Sequence, residues 1–366
     1  MNDTELSMRP GTSVLPSIQA MRGVAALAVL VHHLGQYAGL RFSAGWLLPG
    51  SGLLWSGVDI FFVLSGFLMA WSSFGKSNAE RSSVAFLTGR AGRIYPPYWA
   101  ALALTVMIAV ALPQAMPKET VCPALCQISL MPYDGSPLLG PAWTLSYEVI
   151  FYLIFAALLM FPGKTRLFGL GVWTMIVLVS GLFFPPSNRA SIIHLALAPL
   201  PLEFLMGCWI AVALQKGQRF TSLFAAMFAL FLMLMGAAYF NSVSPGLRGS
   251  AAEWARVALV GLPAVGLVFT LASMDLTKAI QPPHIFQWLG DRSYSLYLIH
   301  WPIVVGLSWI VHESLSGAAV PAMTFVICGF GASLAISAVM YRYVESPSHL
   351  FAKAISRRIY NLAERS

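Results

Sequence analysis

Charge is what this sequence has least of. Of its 366 residues 10% are Asp, Glu, Lys or Arg, 58% are hydrophobic, and the mean hydropathy is +0.73. A water-facing surface needs far more charge, so a soluble globular domain is excluded. A basic secretion signal is also missing. The first 17 residues carry Asp3, Glu5 and Arg9, and the first apolar stretch has Arg22 at its head and lacks a small-residue cleavage site, so it reads as a retained span. Four cysteines are too few for a disulfide scaffold. Cys208 and Cys328 lie within apolar runs and read as packing. Cys122 and Cys126 share one external connection, where a local disulfide and two free thiols both remain open. No histidine stands near that pair, and no metal is implied. The net charge of +8 comes without a helix-turn-helix pattern or an aromatic–basic platform, which argues against nucleic acid as a partner.

What is present is a series of apolar runs of bilayer-spanning length, roughly 20 residues each. In hydrocarbon every backbone polar group must be satisfied within its own segment, so the spans should be helices. They fall at 18–38, 52–73, 95–112, 142–161, 167–184, 193–214, 220–240, 254–272, 288–309 and 320–342. The fold class is therefore all-α, a polytopic helical bundle of about ten spans. It reads as a single membrane domain over 1–366, with a cytoplasmic segment 1–17 and a cytoplasmic tail 346–366. With both termini inside, only Arg41, Lys118, Arg189, Arg248 and Arg256 of the 22 basic residues fall on the outer side. That asymmetry supports the orientation and explains the basicity as topological. In the tail, Phe351, Ile355, Ile359 and Leu362 approach helical spacing, which fits a surface amphipathic helix or a frayed basic anchor.

Ionisable groups within spans are expensive, so each is a candidate for function. Arg22 and His33 are eleven residues apart on the first helix, which puts them on one face about 16 Å apart. His32 points elsewhere. The second span carries Asp59 and the fourth Glu148, both expected near the outer surface with His33. A carboxylate beside an imidazole fixes its tautomer; the competing reading for each acid is a structural ion pair or helix cap, and for His33 a packing role. The ninth span adds His300, while Glu203 and Glu345 read as structural. Arg90 and Arg93, at the end of a cytoplasmic loop over 74–94, are helical neighbours suited to forking onto phosphate oxygens, or else only mark topology.

These residues sit in blocks that resemble the integral-membrane acyltransferase-3 family. The blocks are Met21–Leu27 running to His33, Gly57–Phe67, Arg90–Pro96, Trp143–Tyr152, Trp288–Pro302 and Tyr341–Pro347, in family order over nearly the whole chain. The family's arginine–ten residues–histidine signature falls on Arg22 and His33, and its basic–two residues–arginine motif on Arg90 and Arg93. Where many members read Glu-Glu, this chain has Glu148-Val149. The version here is similar to the branch that modifies exported exopolysaccharides. No esterase-like domain is expected after the tenth helix.

The resemblance implies an O-acetyltransferase of the bacterial inner membrane, with a carbohydrate acceptor and acetyl-CoA (acyl-CoA) as donor substrate. Arg22, Arg90 and Arg93 are expected to hold the donor phosphates. His33 is expected to act as general base or acyl carrier, oriented by Asp59 and Glu148. Trp143, Tyr297 and His300 are expected to bind substrate. The rival class is a proton-coupled transporter using Arg22, Asp59, Glu148 and His300 as a relay, and a non-catalytic polysaccharide-export subunit is a third. Sequence periodicity shows no internal repeat, which weighs against an inverted-repeat transporter. The topology has a direct check. In a cysteine-free background, a cysteine at Ser77 is expected to react with an impermeant thiol reagent only after the inner membrane is opened. Labelling in sealed cells overturns the orientation.

Overall fold

A computed structural model describes residues 15–74, 83–116, 123–132, 135–183, 191–247, 250–315 and 319–363. Every regular element among them is helical. Ten stretches are long and apolar enough to cross a bilayer, so the chain is a multi-pass membrane protein. Cys122 lies outside the described residues, as do Ser77 and the basic residues Lys118, Arg189 and Arg248.

The bundle is organised around α1 (Pro16–Phe42), which packs against α2 (Gly57–Ser73), α11 (Leu262–Leu276), α12 (His284–Asp291), α13 (Ser293–Ser314) and α14 (Ala319–Met340). The remaining elements are α3 (Ser83–Ala111), α4 (Ala124–Ser129), α5 (Trp143–Leu159), α6 (Gly163–Phe183), α7 (Ile192–Leu197), α8 (Pro201–Gln215), α9 (Leu223–Val243), α10 (Ser250–Arg256) and α15 (Ser346–Ala363). Two wide π-turns, Val257–Gly261 and Tyr341–Glu345, join α10 to α11 and α14 to α15.

Two boundaries differ from the sequence reading, and the tail takes the first of its two alternatives. The third span begins at Ser83, twelve residues earlier than expected, and runs through Pro96 and Pro97. Arg90 and Arg93 are thus part of the helix rather than of a loop. The prolines remove the amide donors that the carbonyls of Gly92 and Arg93 would otherwise meet, which is why the pattern seemed to start there. The expected ninth span splits, because a turn at Arg292 separates α12 from α13. The tail is a helix, α15, that packs lengthwise on α3, with Ala352 seated where Gly92 has no side chain.

Local chemistry fixes the helix ends that matter. Pro16 opens α1, and the Asp275 carboxylate accepts from the Ser17 amide at 3.0 Å and the Ile18 amide at 3.2 Å. These are amides that no intrahelical carbonyl serves. Glu345 does the same for α13, accepting from the Ser295 amide at 3.1 Å and its hydroxyl at 2.6 Å. A negative charge at a helix N-terminus is also favoured by the helix dipole. Side by side, α2 and α8 approach through Gly66, which faces the Phe204 carbonyl, and Gly207, which faces the Val63 carbonyl. On α3, Tyr95, Tyr98 and Trp99 reach the carbonyls of Ser129, Gln127 and Ile128, and hold α4 across that end of the bundle.

Replacing Glu345 with Ala strands the amide and hydroxyl of Ser295 in a buried site. The expected cost is about 2–3 kcal/mol, seen as a lower thermal unfolding midpoint in detergent; an unchanged midpoint contradicts the anchoring role.

Candidate active site

Arg22 of α1, Arg90 and Arg93 of α3, and Glu148 and Tyr152 of α5 line one cavity of about 80 Å³, closed by Phe61 and Ser65 of α2 and by Tyr294 and Tyr297 of α13. Each helix offers one face. On α5 the lining positions are 144, 145, 148 and 152, and on α2 they are 58, 61, 62, 64, 65 and 68. Glu148 is held by its own helix, its Oε1 accepting from the Tyr152 hydroxyl one turn on and from the Ser65 hydroxyl at 3.1 Å. The Arg90 guanidinium lies over the rings of Phe86 at 5.3 Å and Tyr152 at 5.4 Å. Arg22 donates to the Gln19 side chain at 3.1 Å. Among the described residues the ion pairs are Asp59–Arg256 and His194–Glu253, so none of the three arginines has a carboxylate at ion-pair distance. Three cations facing one acid make this cavity suited to a multiply charged anion.

His33 and His300 meet beyond the Tyr297 end of that cavity. The ring centroids are 5.1 Å apart, and His300 Nε2 stands 3.3 Å from His33 Nδ1. The protons can be placed from the partners. His300 Nδ1 faces the Leu296 carbonyl at 3.0 Å and must donate, which leaves its Nε2 as an acceptor. His33 Nδ1 faces both that Nε2 and the Val29 carbonyl at 2.9 Å, so it carries hydrogen. His33 Nε2 is then the lone-pair nitrogen, and it makes no hydrogen bond among the described residues. That is the tautomer a general base needs. His32, by contrast, is tied to the Ser51 carbonyl at 3.0 Å.

On the far side of the pair lies a cleft of about 740 Å³, lined by Trp143, Tyr147, Glu253, Arg256 and Trp301 and by loop residues such as Pro137 and Gly140. Positions 297, 300 and 301 share one face of α13. Tyr297 lies 5.9 Å from the His300 ring and belongs to the first cavity. Trp301 lies 5.2 Å from the His33 ring and belongs to the cleft. The histidine pair therefore packs between a wall residue of each space, His300 against Tyr297 and His33 against Trp301.

The structure brings some of the sequence candidates together and separates others. Arg22, Arg90, Arg93, Glu148 and Tyr297 share the cavity, His33 and His300 form the pair, and Trp143 faces the cleft. Neither Asp59 nor Glu148 orients His33, contrary to expectation. Asp59 lies about 100° around α2 from Val58 on the cavity-facing side. There it is fully buried and forks with Arg256, Nε to Oδ1 at 2.8 Å and Nη2 to Oδ2 at 3.0 Å. The Tyr297 hydroxyl is engaged with Thr144 at 2.8 Å and the Pro141 carbonyl at 3.3 Å. Sequence reasoning missed Arg256, Glu253, His194 and Trp301. The signal for Arg256 was its place among the few basic residues that the sequence reading assigned to the outer side.

Fold and site define a class: a polytopic membrane protein with a histidine pair packed between the walls of a basic cavity and an aromatic cleft. The chain belongs to the acyltransferase-3 family, whose acyltransferase domain matches residues 15–342, and it is an acyltransferase. It is 28% identical to the exopolysaccharide production protein ExoZ of Rhizobium meliloti, over 90% of this chain and 97% of that one. It is 24% identical to the peptidoglycan O-acetyltransferase OatA of Listeria monocytogenes, over 91% of this chain and 55% of that one, so it spans about half of that relative. It is 28% identical to the acyltransferase MdmB of Streptomyces mycarofaciens over 81% of each. No solved structure matches the chain.

Proposed function

We propose that this protein is an inner-membrane O-acetyltransferase that moves an acetyl group from cytoplasmic acetyl-CoA to a hydroxyl of an exported or surface carbohydrate. The observation that carries the reading is the histidine pair packed between Tyr297, which lines a cavity suited to an anion, and Trp301, which lines a cleft of a different character. The names of two relatives, one in exopolysaccharide production and one in peptidoglycan O-acetylation, support a carbohydrate acceptor. In this reading Arg22, Arg90 and Arg93 hold the phosphates of the donor, and the pantetheine arm brings the thioester past Tyr297 to His33. His33 Nε2 removes the acceptor hydroxyl proton as that oxygen attacks the thioester carbonyl. The C–S bond breaks, and the proton passes from His33 to the departing thiolate, giving the ester and free CoA. His300 holds the His33 tautomer and stabilises the imidazolium while it exists, the part the sequence reading gave to a carboxylate. Glu148 keeps Tyr152 and Ser65 set against the donor.

Purified protein is expected to transfer acetyl from acetyl-CoA to carbohydrate. His33→Ala is expected to lose at least about a hundredfold in rate, the scale of a general base, while His32→Ala stays within a few-fold. An active His33→Ala protein removes the base assignment. Arg90→Ala and Arg93→Ala are expected to raise the acetyl-CoA KM, with wild-type donor affinity itself falling as salt rises because phosphate contacts near the aqueous boundary are screened. Unchanged donor affinity in the double variant leaves these arginines with topology alone.

A further inference from the structure

Two buried polar atoms on residues that line the cleft have no partner among the described residues. They are the indole nitrogen Nε1 of Trp301, a donor, and Oε2 of Glu253, an acceptor. Leaving such a group unpaired in a buried site costs about 1–3 kcal/mol, and neither is left so by loose packing. The Trp301 ring is clamped edge-on by His33 at 5.2 Å and Tyr37 at 5.9 Å. A third wall is Gly140, where a Cβ would come within 2.6 Å of the indole. The ring cannot turn its N–H toward a protein acceptor. Glu253 is fixed through its other oxygen, 3.3 Å from His194 Nε2, which also stands 3.1 Å from the Tyr147 hydroxyl. The cleft thus holds one rigid donor beside His33, one rigid anionic acceptor on α10, and the rings of Trp143 and Tyr147 between its walls.

We infer that Trp301 and Glu253 are the hydroxyl-reading groups of an acceptor subsite for a neutral sugar. Resting on the acetyltransferase reading, this names the acceptor's chemistry and the residues that select it. A pyranose offers what both atoms lack: hydroxyl oxygens to accept from the indole and hydroxyl protons to give to the carboxylate. Its C–H faces suit the aromatic rings. Charge decides between neutral and acidic sugars. Among the described residues the one cation lining the cleft, Arg256, is already forked onto Asp59, with its guanidinium 5.0 Å from the Trp55 ring and 5.6 Å from the Trp143 ring. Among the described residues lining the cleft, the ionic group left free to meet a ligand is the Glu253 oxygen, which repels a uronate or a phosphate. With Trp301 against His33, the hydroxyl that receives the indole N–H lies beside the base.

The test is isothermal titration of detergent-solubilised full-length protein with oligosaccharides cut from the host's own de-O-acetylated surface polysaccharide, separated into neutral and acidic fragments. Neutral fragments are expected to bind wild type at least tenfold more tightly than acidic ones. Glu253→Ala and Trp301→Phe are each expected to weaken neutral binding at least tenfold. Glu253→Gln, of the same shape and without the charge, should weaken it less and relieve the exclusion of acidic fragments. Unfolding midpoints confirm that the variants are folded, and the Gln variant serves if Ala fails. Neutral binding unchanged in both Glu253→Ala and Trp301→Phe overturns the inference, as does a preference for acidic fragments. Acetyl-CoA turnover, measured separately, distinguishes the two readings. Wild type that binds neutral fragments as described yet leaves acetyl-CoA intact keeps the subsite and discards the donor.

Discussion

Two buried carboxylates set the geometry on which the site depends. Asp275, at the end of α11, holds the first turn of α1, and Glu345, in the turn between α14 and α15, holds the first turn of α13. Both bonds act along the helix axis, each on the first turn of its own helix. In a hydrocarbon environment, where apolar surfaces slide past one another with little loss, side-chain packing alone is a poor ruler of axial position. A charge bonded to free amides is a good one. With both helices pinned, His33 and His300, each well within its helix, arrive at the same depth and touch.

From that contact the rest of the site divides by which face of a helix each residue occupies. On α2, the row through Val58, Phe61 and Ser65 faces the arginine cavity, while Asp59 faces α10 across the bundle. One helix thereby serves two electrostatic settings. Arg22, Arg90 and Arg93 keep their charge available because no carboxylate among the described residues stands at ion-pair distance from them. Arg256 has its charge cancelled and acts instead as a wall, braced against Trp55 and Trp143. The same residue type is a ligand group in one space and scaffolding in the other.

The spans were legible because hydrophobic length and the placement of basic residues are properties of contiguous sequence. So was the shared face of Arg22 and His33, which needs only the period of one helix. The partner of His33 was not. Which of Asp59, Glu148 and His300 reaches it depends on the relative rotation of α1, α2, α5 and α13, and no local pattern carries that angle. The Asp59–Arg256 pair joins residues 197 positions apart, and Glu253, just outside the expected eighth span, belongs to no sequence motif that would point to the cleft it lines. At α3 the prolines misled for a physical reason: they break local propensity, and α15 packed alongside keeps the helix whole.

The wide turn at Val257–Gly261 follows directly on Arg256. Such a turn amounts to one residue inserted into a helix, so the residues before it are rotated by about 100° relative to the register that α11 would impose. It works as a clutch between two halves of one rod. The half bearing Glu253 and Arg256 presents its face to the cleft without reference to how α11 is seated against α1, α2 and α9. A chain that lost that one residue would exchange every cleft-facing side chain of α10 at a stroke while the deeper half of the bundle kept its packing. Change of acceptor, in such an architecture, is a matter of phase as much as of side-chain identity.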